Sequence, residues 1–345
     1  MIDAMRTSSR AAPTILAFAA CAAMAACRSA DPGAVDLQIG AADASGVAPT
    51  APSPFLPAGY EGELFVDYEA LRACDLLTAL ERIPMIADYL ASVAQQYGCE
   101  MDDLARTRTA VVFASEGSGV FGHSVSVAEV AGSKRPESMP KPWVQVRVGP
   151  YDGWWWDGGL ADKPTIVWPT PGLVVEGDQA LLSAIATGAR DAGGPHPQLA
   201  PLLPCQRLLW QFAVGRFGKP MSQVLGSIGW FWHDAEDPCD FVRLRVWLDE
   251  HDELVASLLL RFQRGTSGLR EVERDLTDHR DQMLGDKQYA PLQPLARAVI
   301  VAHQDRDLVL TLPLGTTRQA VATIERTVLG VMKLRMQMET EARRK

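Results

Sequence analysis

The strict alternation over residues 241–262 restricts the fold more than any other feature of the chain. Val242, Leu244, Val246 and Leu248 alternate with Arg243, Arg245 and Trp247. Successive side chains of a strand point to opposite faces, so this segment is a half-buried strand with one apolar side. A polar turn over 249–253 leads into a second strand over 254–262. A helix is expected next, with Leu269, Val272, Leu276, His279 and Met283 on one stripe. The same order then recurs: a strand over 297–303, a polar turn at 304–307, a strand over 308–312, and a long helix with Val321, Ile324, Val328 and Val331 inward. Residues 241–338 therefore read as two strand–strand–helix units in tandem. They are expected to superpose, strand 241–248 on 297–303 and helix 268–284 on 316–332.

The preceding part uses the same elements. Residues 63–66 read as a strand and Asp67 as the cap of a helix over 69–82, while Pro84 suits the first position of a second helix. Ile86, Leu90, Val93, Ala94 and Tyr97 form its apolar stripe, and Gly98 ends it. Strands are expected over 109–114, 123–130, 142–149, 164–168 and 172–176. Asp178 caps a helix that turns Leu181, Leu182 and Ile185 inward. Residues 189–204 are loop-like, with Pro195, Pro197, Pro201 and Pro204. Strands follow near 207–214 and 228–233. Together these predict an α+β fold, an antiparallel sheet with helices packed on one face.

The first thirty residues read as a processing segment. Arg6 and Arg10 form a positive region, with Met5 as an alternative start because Asp3 is out of place there. Residues 11–26 are apolar and uncharged, shorter than the ~20 residues a membrane-spanning helix needs. Met24-Ala25-Ala26-Cys27 resembles the lipobox of bacterial lipoprotein precursors, whose cysteine is acylated and becomes the first mature residue. Phe18-Ala19-Ala20-Cys21 is a poorer match, since cleavage there would leave an apolar stub. The resemblance implies a lipid on Cys27, a body folded outside the cytoplasm, and a membrane anchor. By analogy with enteric sorting, Arg28 in place of an Asp implies outer-membrane delivery. Residues 28–59 are rich in Ala, Pro, Gly and Ser and show no apolar periodicity, so they read as a tether. The expected organisation is a signal peptide over 1–26, lipidated Cys27 and tether over 27–59, an α+β half over 60–204, and a second over 205–345.

Losing Arg6, Arg10 and Asp3 with the leader takes the formal charge from −9 to −10. An acidic body argues against nucleic acid or anionic membrane surfaces as partners. Of the six cysteines, Cys74, Cys99, Cys205 and Cys239 lie in the body. An even number in an exported chain favours two disulfides, with three possible connectivities. Two helices joined by a short turn bring Cys74 towards Cys99. Cys205 and Cys239 each precede a predicted strand, and a meander through strands near 208, 228 and 241 would put both at one end. No C-x-x-C spacing suggests zinc, and neither a metal nor a cofactor is expected.

Candidate chemistry is sparse. Gly117-Ser118-Gly119-Val120-Phe121-Gly122 matches G-x-G-x-x-G, but a strand-like pattern follows where a nucleotide site needs a helix. Ser138-Met139-Pro140-Lys141 matches S-x-x-K, but Pro136, Pro140 and Pro142 forbid the helix that motif requires. Gly265-Thr266-Ser267-Gly268 lacks nucleophile-elbow spacing. His233 and His251 lie among carboxylates at predicted turns, where a solvated acidic turn competes with a base or cation site. His279 sits on an apolar stripe; His123, His196 and His303 stand at strand or loop ends. The most unusual stretch is Tyr151-Asp152-Gly153-Trp154-Trp155-Trp156. If it is a strand, Trp155 must oppose Trp154 and Trp156, and at least one of the three is expected to be exposed, ready to stack a sugar or meet a lipid interface. These features favour a non-enzymatic envelope lipoprotein whose tethered body binds a partner protein or an apolar or glycan ligand. The rivals are an envelope hydrolase with a site assembled only in the fold, and a structural spacer.

Overall fold

The structure is a computed structural model that describes residues 53–112, 123–133, 135–139, 141–157, 164–202, 205–215, 239–264, 268–290 and 293–327. Their centre is one antiparallel sheet of twelve strands, in the order β11-β12-β10-β9-β8-β1-β2-β3-β7-β6-β5-β4. In chain order the strands are β1 (Gly62–Asp67), β2 (Leu104–Val112), β3 (His123–Val130), β4 (Trp143–Val148), β5 (Tyr151–Trp156), β6 (Pro164–Thr170), β7 (Leu173–Asp178), β8 (Leu208–Gly215), β9 (Cys239–Leu248), β10 (Leu254–Phe262), β11 (Ile300–Gln304) and β12 (Asp307–Gly315). The helices are α1 (Tyr68–Ala73), α2 (Leu76–Leu80), α3 (Pro84–Tyr97), α4 (Gln179–Ala186), α5 (Gly268–Gly285), α6 (Gln293–Ala298) and α7 (317–327). The α+β class and antiparallel sheet predicted from the patterning are therefore present. The halves before and after residue 205 share this sheet, because β8 pairs with β1.

Alternation divides the core between the two faces of the sheet. On one side Val242, Leu244 and Val246 of β9, the even-numbered residues 254–260 of β10, and Leu308, Leu310 and Leu312 of β12 meet apolar residues of α1–α3 and α5–α7. On the other, Val125, Val127, Val175, Phe241 and Leu259 pack with Leu181, Leu182 and Ile185 of α4 and with Phe55, Leu56 and Leu199. Among the described residues six helices thus share one face, and α4 covers part of the other. The reason is local: Asp178 caps α4 directly after β7, accepting from Leu181 N at 3.0 Å, so the helix folds back with its Leu-Leu-Ile stripe towards the odd-numbered side.

The tandem units are both present, and their relation is an inversion. β9 and β10 form one hairpin, β11 and β12 the other, and β10 pairs antiparallel with β12. The second strand of each unit thus lies at the centre, with a local two-fold between them and the helices that follow on one shared face. Arg261 opposite Asp307 marks one end of this joint.

Asp67 caps α1 as predicted, accepting from Ala70 N at 2.8 Å, but the expected helix over 69–82 breaks after Ala73. Asp75 takes a left-handed conformation, φ 58°, and α2 starts afresh. Pro84 opens α3, whose stripe Ile86, Leu90, Val93, Ala94 and Tyr97 is entirely buried, and Gly98 closes it with φ 65°. The predicted strand at 228–233, the glycine loop at 117–122, the motif at 265–267, His233 and the side chain of His279 lie outside the described residues, as do Cys27 and the tether up to residue 52.

The expected disulfides are absent: none of Cys74, Cys99, Cys205 and Cys239 is bridged. For Cys205 and Cys239 the reason is topological. β8 pairs directly with β9, with Leu208 opposite Trp247 and Gly215 opposite Phe241. Cys205 therefore lies beyond one end of this pair and Cys239 at the other, roughly 20 Å away at 3.3 Å per residue, too far for a bridge. For Cys74 and Cys99 the expected pairing assumed one unbroken helix through residue 82. Instead Cys74 ends α1 with its thiol on Leu71 O at 3.5 Å, and Cys99 follows α3 with its thiol on Ala94 O at 3.6 Å.

A tryptophan face at one end of the sheet

The outer strands β4–β6 owe their register to a two-residue turn. Val148 faces Tyr151 across Gly149-Pro150. Gly149 has φ 57° and Pro150 is confined to negative φ, which together give a type II′ hairpin turn that suits strand twist. The register then runs outward, setting Trp154 opposite Gln145 and Trp156 opposite Trp143. On the other side of β5, Trp154 faces Ile166. Gly153 permits this close approach, since a Cβ there would stand 2.4 Å from the Ile166 carbonyl oxygen.

Parity then sorts the tryptophans. Trp154 and Trp156 share the helix-bearing face with Trp143 and with Trp168 of β6, both of which pack against the edge of that core. Trp155 points to the opposite face, as the strand geometry requires, beside Val144 in register. Trp154 is buried, and Trp155 and Trp156 are half-buried. None of the three is as exposed as the sequence argument expected, because each finds a cross-strand neighbour. The rings of Trp143 and Trp156 meet edge to face at 5.5 Å. Arg135, from the chain between β3 and β4, lies 5.6 Å over Trp154 and reaches Asp152 at 3.4 Å. The indole N–H of Trp154 is buried without a hydrogen-bond partner among the described residues.

The α3 helix meets this side of the sheet at β7, where Gln96 donates to Glu176. Beyond it, the half-buried rings of Trp143, Trp156 and Trp168 adjoin exposed Gln145, Arg147 and Asp152. Aromatic planes beside exposed amide, guanidinium and carboxylate groups suit a ligand with apolar faces and a hydrogen-bonding rim. Trp143 and Trp168 escaped the sequence reading, although the Gly149-Pro150 turn was signal enough to place Trp143 opposite Trp156.

Of the acidic-turn histidines the described one, His251, gathers no second reactive group among the described residues. His251 lies in a turn built on Asp249, whose carboxylate accepts from His251 N at 2.8 Å and Glu253 N at 2.9 Å. Its ring is 73% exposed, and Glu250 stands 3.7 Å away. His123 approaches Asp178 at 3.9 Å and His303 approaches Glu273 at 3.5 Å, each near the surface. Ser138 and Lys141 lie in exposed, non-helical chain. An open cleft beside α3 holds Cys99 with Glu100 and Asp103. Burial, then those carboxylates, push its thiol up to about 11, opposite to what a nucleophile needs. Among the described residues no three His, Cys, Asp or Glu side chains are grouped to hold a metal ion, and no helix is long and apolar enough to cross a membrane.

No known protein family and no curated protein matches the sequence. Among solved structures, crystal forms III and I of TP0453 resemble the chain at 10% identity, with TM-scores of 0.44 and 0.43, each covering 81% of this chain and 99% of that one. Crystal form IV covers 79% and 96%, with a TM-score of 0.43. At that distance the likeness carries no argument about what the chain does.

Proposed function

We propose that the chain is a lipid-anchored envelope protein that holds a glycan on the tryptophan face of β4–β6. The anchor rests on the sequence alone: a positive start, the apolar run over 11–26, the lipobox-like Met24-Ala25-Ala26-Cys27, and a proline-rich tether. The observation that carries the ligand class is the grouping of Trp143, Trp156 and Trp168 on one face beside exposed Gln145, Arg147 and Asp152. The C–H faces of a pyranose suit the indole planes, and its hydroxyls suit the polar rim. The acidic charge of the chain disfavours nucleic acid as the stacked ligand.

One observation favours a partner protein as the second reading. β4 is an edge strand, and Val144 on it is 43% exposed, so a partner strand could add there.

The test is titration of the full chain with soluble peptidoglycan fragments, read by tryptophan fluorescence. A saturable spectral change that is lost in Trp156→Ala, with Trp247→Ala on distant β9 unaffected, supports the glycan reading. No change with these fragments, or a change that survives Trp156→Ala, overturns it.

A further inference from the structure

Arg243 and Arg245 lie side by side on the face of β9 turned away from most of the helices. Their neighbours Val242, Leu244 and Val246 fill the helix-side core, so alternation fixes both guanidinium stems on the other side. Arg243 is only 9% exposed. One of its terminal nitrogens donates to Leu202 O at 2.5 Å, and its Nε has no partner among the described residues. Arg245 is half-buried, lies 4.5 Å over the ring of Trp247, and also has a buried Nε without a partner.

The nearby carboxylates among the described residues are engaged elsewhere. Asp307 is held by Arg261 through bonds of 2.7 and 2.6 Å. Glu63 accepts from the Tyr60 hydroxyl at 2.5 Å and stands 3.8 Å from Arg108. Among the described residues neither Arg243 nor Arg245 has an ion pair. Among the described residues a buried and a half-buried cation thus stand side by side without a counter-charge, an unfavourable arrangement that a bound anion would relieve. Burial, then Arg245, push the Arg243 guanidinium below its ordinary range, in keeping with this arrangement.

We propose that Arg243 and Arg245 form a binding site for an oxyanion, a phosphate or carboxylate group. It would enter past Arg245, Trp247 and Cys205, all half-buried and together forming the rim. Ser257 stands directly opposite Arg245 on β10 and adds a hydroxyl to the same row. Guanidinium forks suit the planar, two-oxygen edge that carboxylates and phosphates share. The site is on the opposite face of the sheet from Trp156 and independent of the glycan reading.

The experiment is calorimetric titration of the full chain with inorganic phosphate and, separately, with succinate, at constant ionic strength set by chloride. Saturable binding of either is expected, and the arm that responds identifies the source of the oxyanion. Binding should weaken about tenfold or more in Arg245→Gln and remain unchanged in Arg82→Gln, which removes an exposed cation. Arg245→Lys keeps the charge and loses the fork, so it should weaken binding even if the glutamine variant folds poorly. The proposal is overturned if neither anion binds the wild-type chain, or if Arg245→Lys and Arg82→Gln bind alike.

Discussion

Trp143 and Trp156 stand directly opposite each other on β4 and β5, their rings 5.5 Å apart and inclined at 79°. Edge-to-face pairs contribute roughly 0.5–1.5 kcal/mol beyond the area they bury. A double-mutant cycle with Trp143→Ala and Trp156→Ala should recover a coupling of that size from urea unfolding. Trp154→Ala, which empties a buried site, should cost more, about 3–5 kcal/mol. Zero coupling between Trp143 and Trp156 would show that the hairpin register is not as described.

Arg261 and Asp307 tie the two inverted units together. Both side chains are largely buried and joined by two parallel hydrogen bonds. Asp307→Asn should cost about 2–4 kcal/mol, because it leaves a part-buried guanidinium short of its counter-charge. Hydrogen exchange should then accelerate first in β11 and β12, at the edge of the sheet. Uniform acceleration throughout would contradict the special place given to this pair.

Alkaline pH should destabilise the fold. Burial, then Asp103 and Glu100, raise the Cys99 thiol to about 11, and burial raises Tyr68 and Tyr97 well above the ordinary phenol range. The folded chain keeps these protons while the unfolded chain releases them, beginning near the usual thiol value of about 8.5. The unfolded state then binds fewer protons, so stability is full below that value and falls as pH rises towards 11. Urea midpoints measured between pH 8 and 11 should decline, and Cys99→Ser should soften the decline. A rising midpoint would contradict the sign.

Peptide mapping under non-reducing conditions should return Cys205 and Cys239 on unlinked peptides. Their separation along β8 and β9 leaves no geometry for a bridge in the folded chain. A Cys205–Cys239 peptide would require a different pairing of these strands.

What the sequence disclosed follows the range of the interactions involved. The β9–β10 hairpin was legible because alternation and a polar turn are local. The Asp67 and Asp178 caps were legible because their bonds span three residues. The break at Asp75 was not, since a left-handed aspartate leaves little mark in a run of helix formers. Nor was the pairing of β8 with β1 or of β3 with β7, which joins strands far apart in sequence. The tryptophan run showed its split across two faces, whereas its burial depended on Trp143 and Ile166 arriving from neighbouring strands. Arg243 and Arg245 looked like the solvated side of a half-buried strand. The chain folding over that face, with Leu202 against Arg243, leaves Arg243 buried and Arg245 half-buried.

The lipid on Cys27 is the claim on which the envelope reading depends, and metabolic labelling with palmitate tests it most directly. The wild-type chain should take up label and fractionate with membranes. Cys27→Ser should abolish the label and release the body, and Cys21→Ser should leave both unchanged. A wild-type chain with an unmodified N-terminus at or near Cys27 would contradict the account.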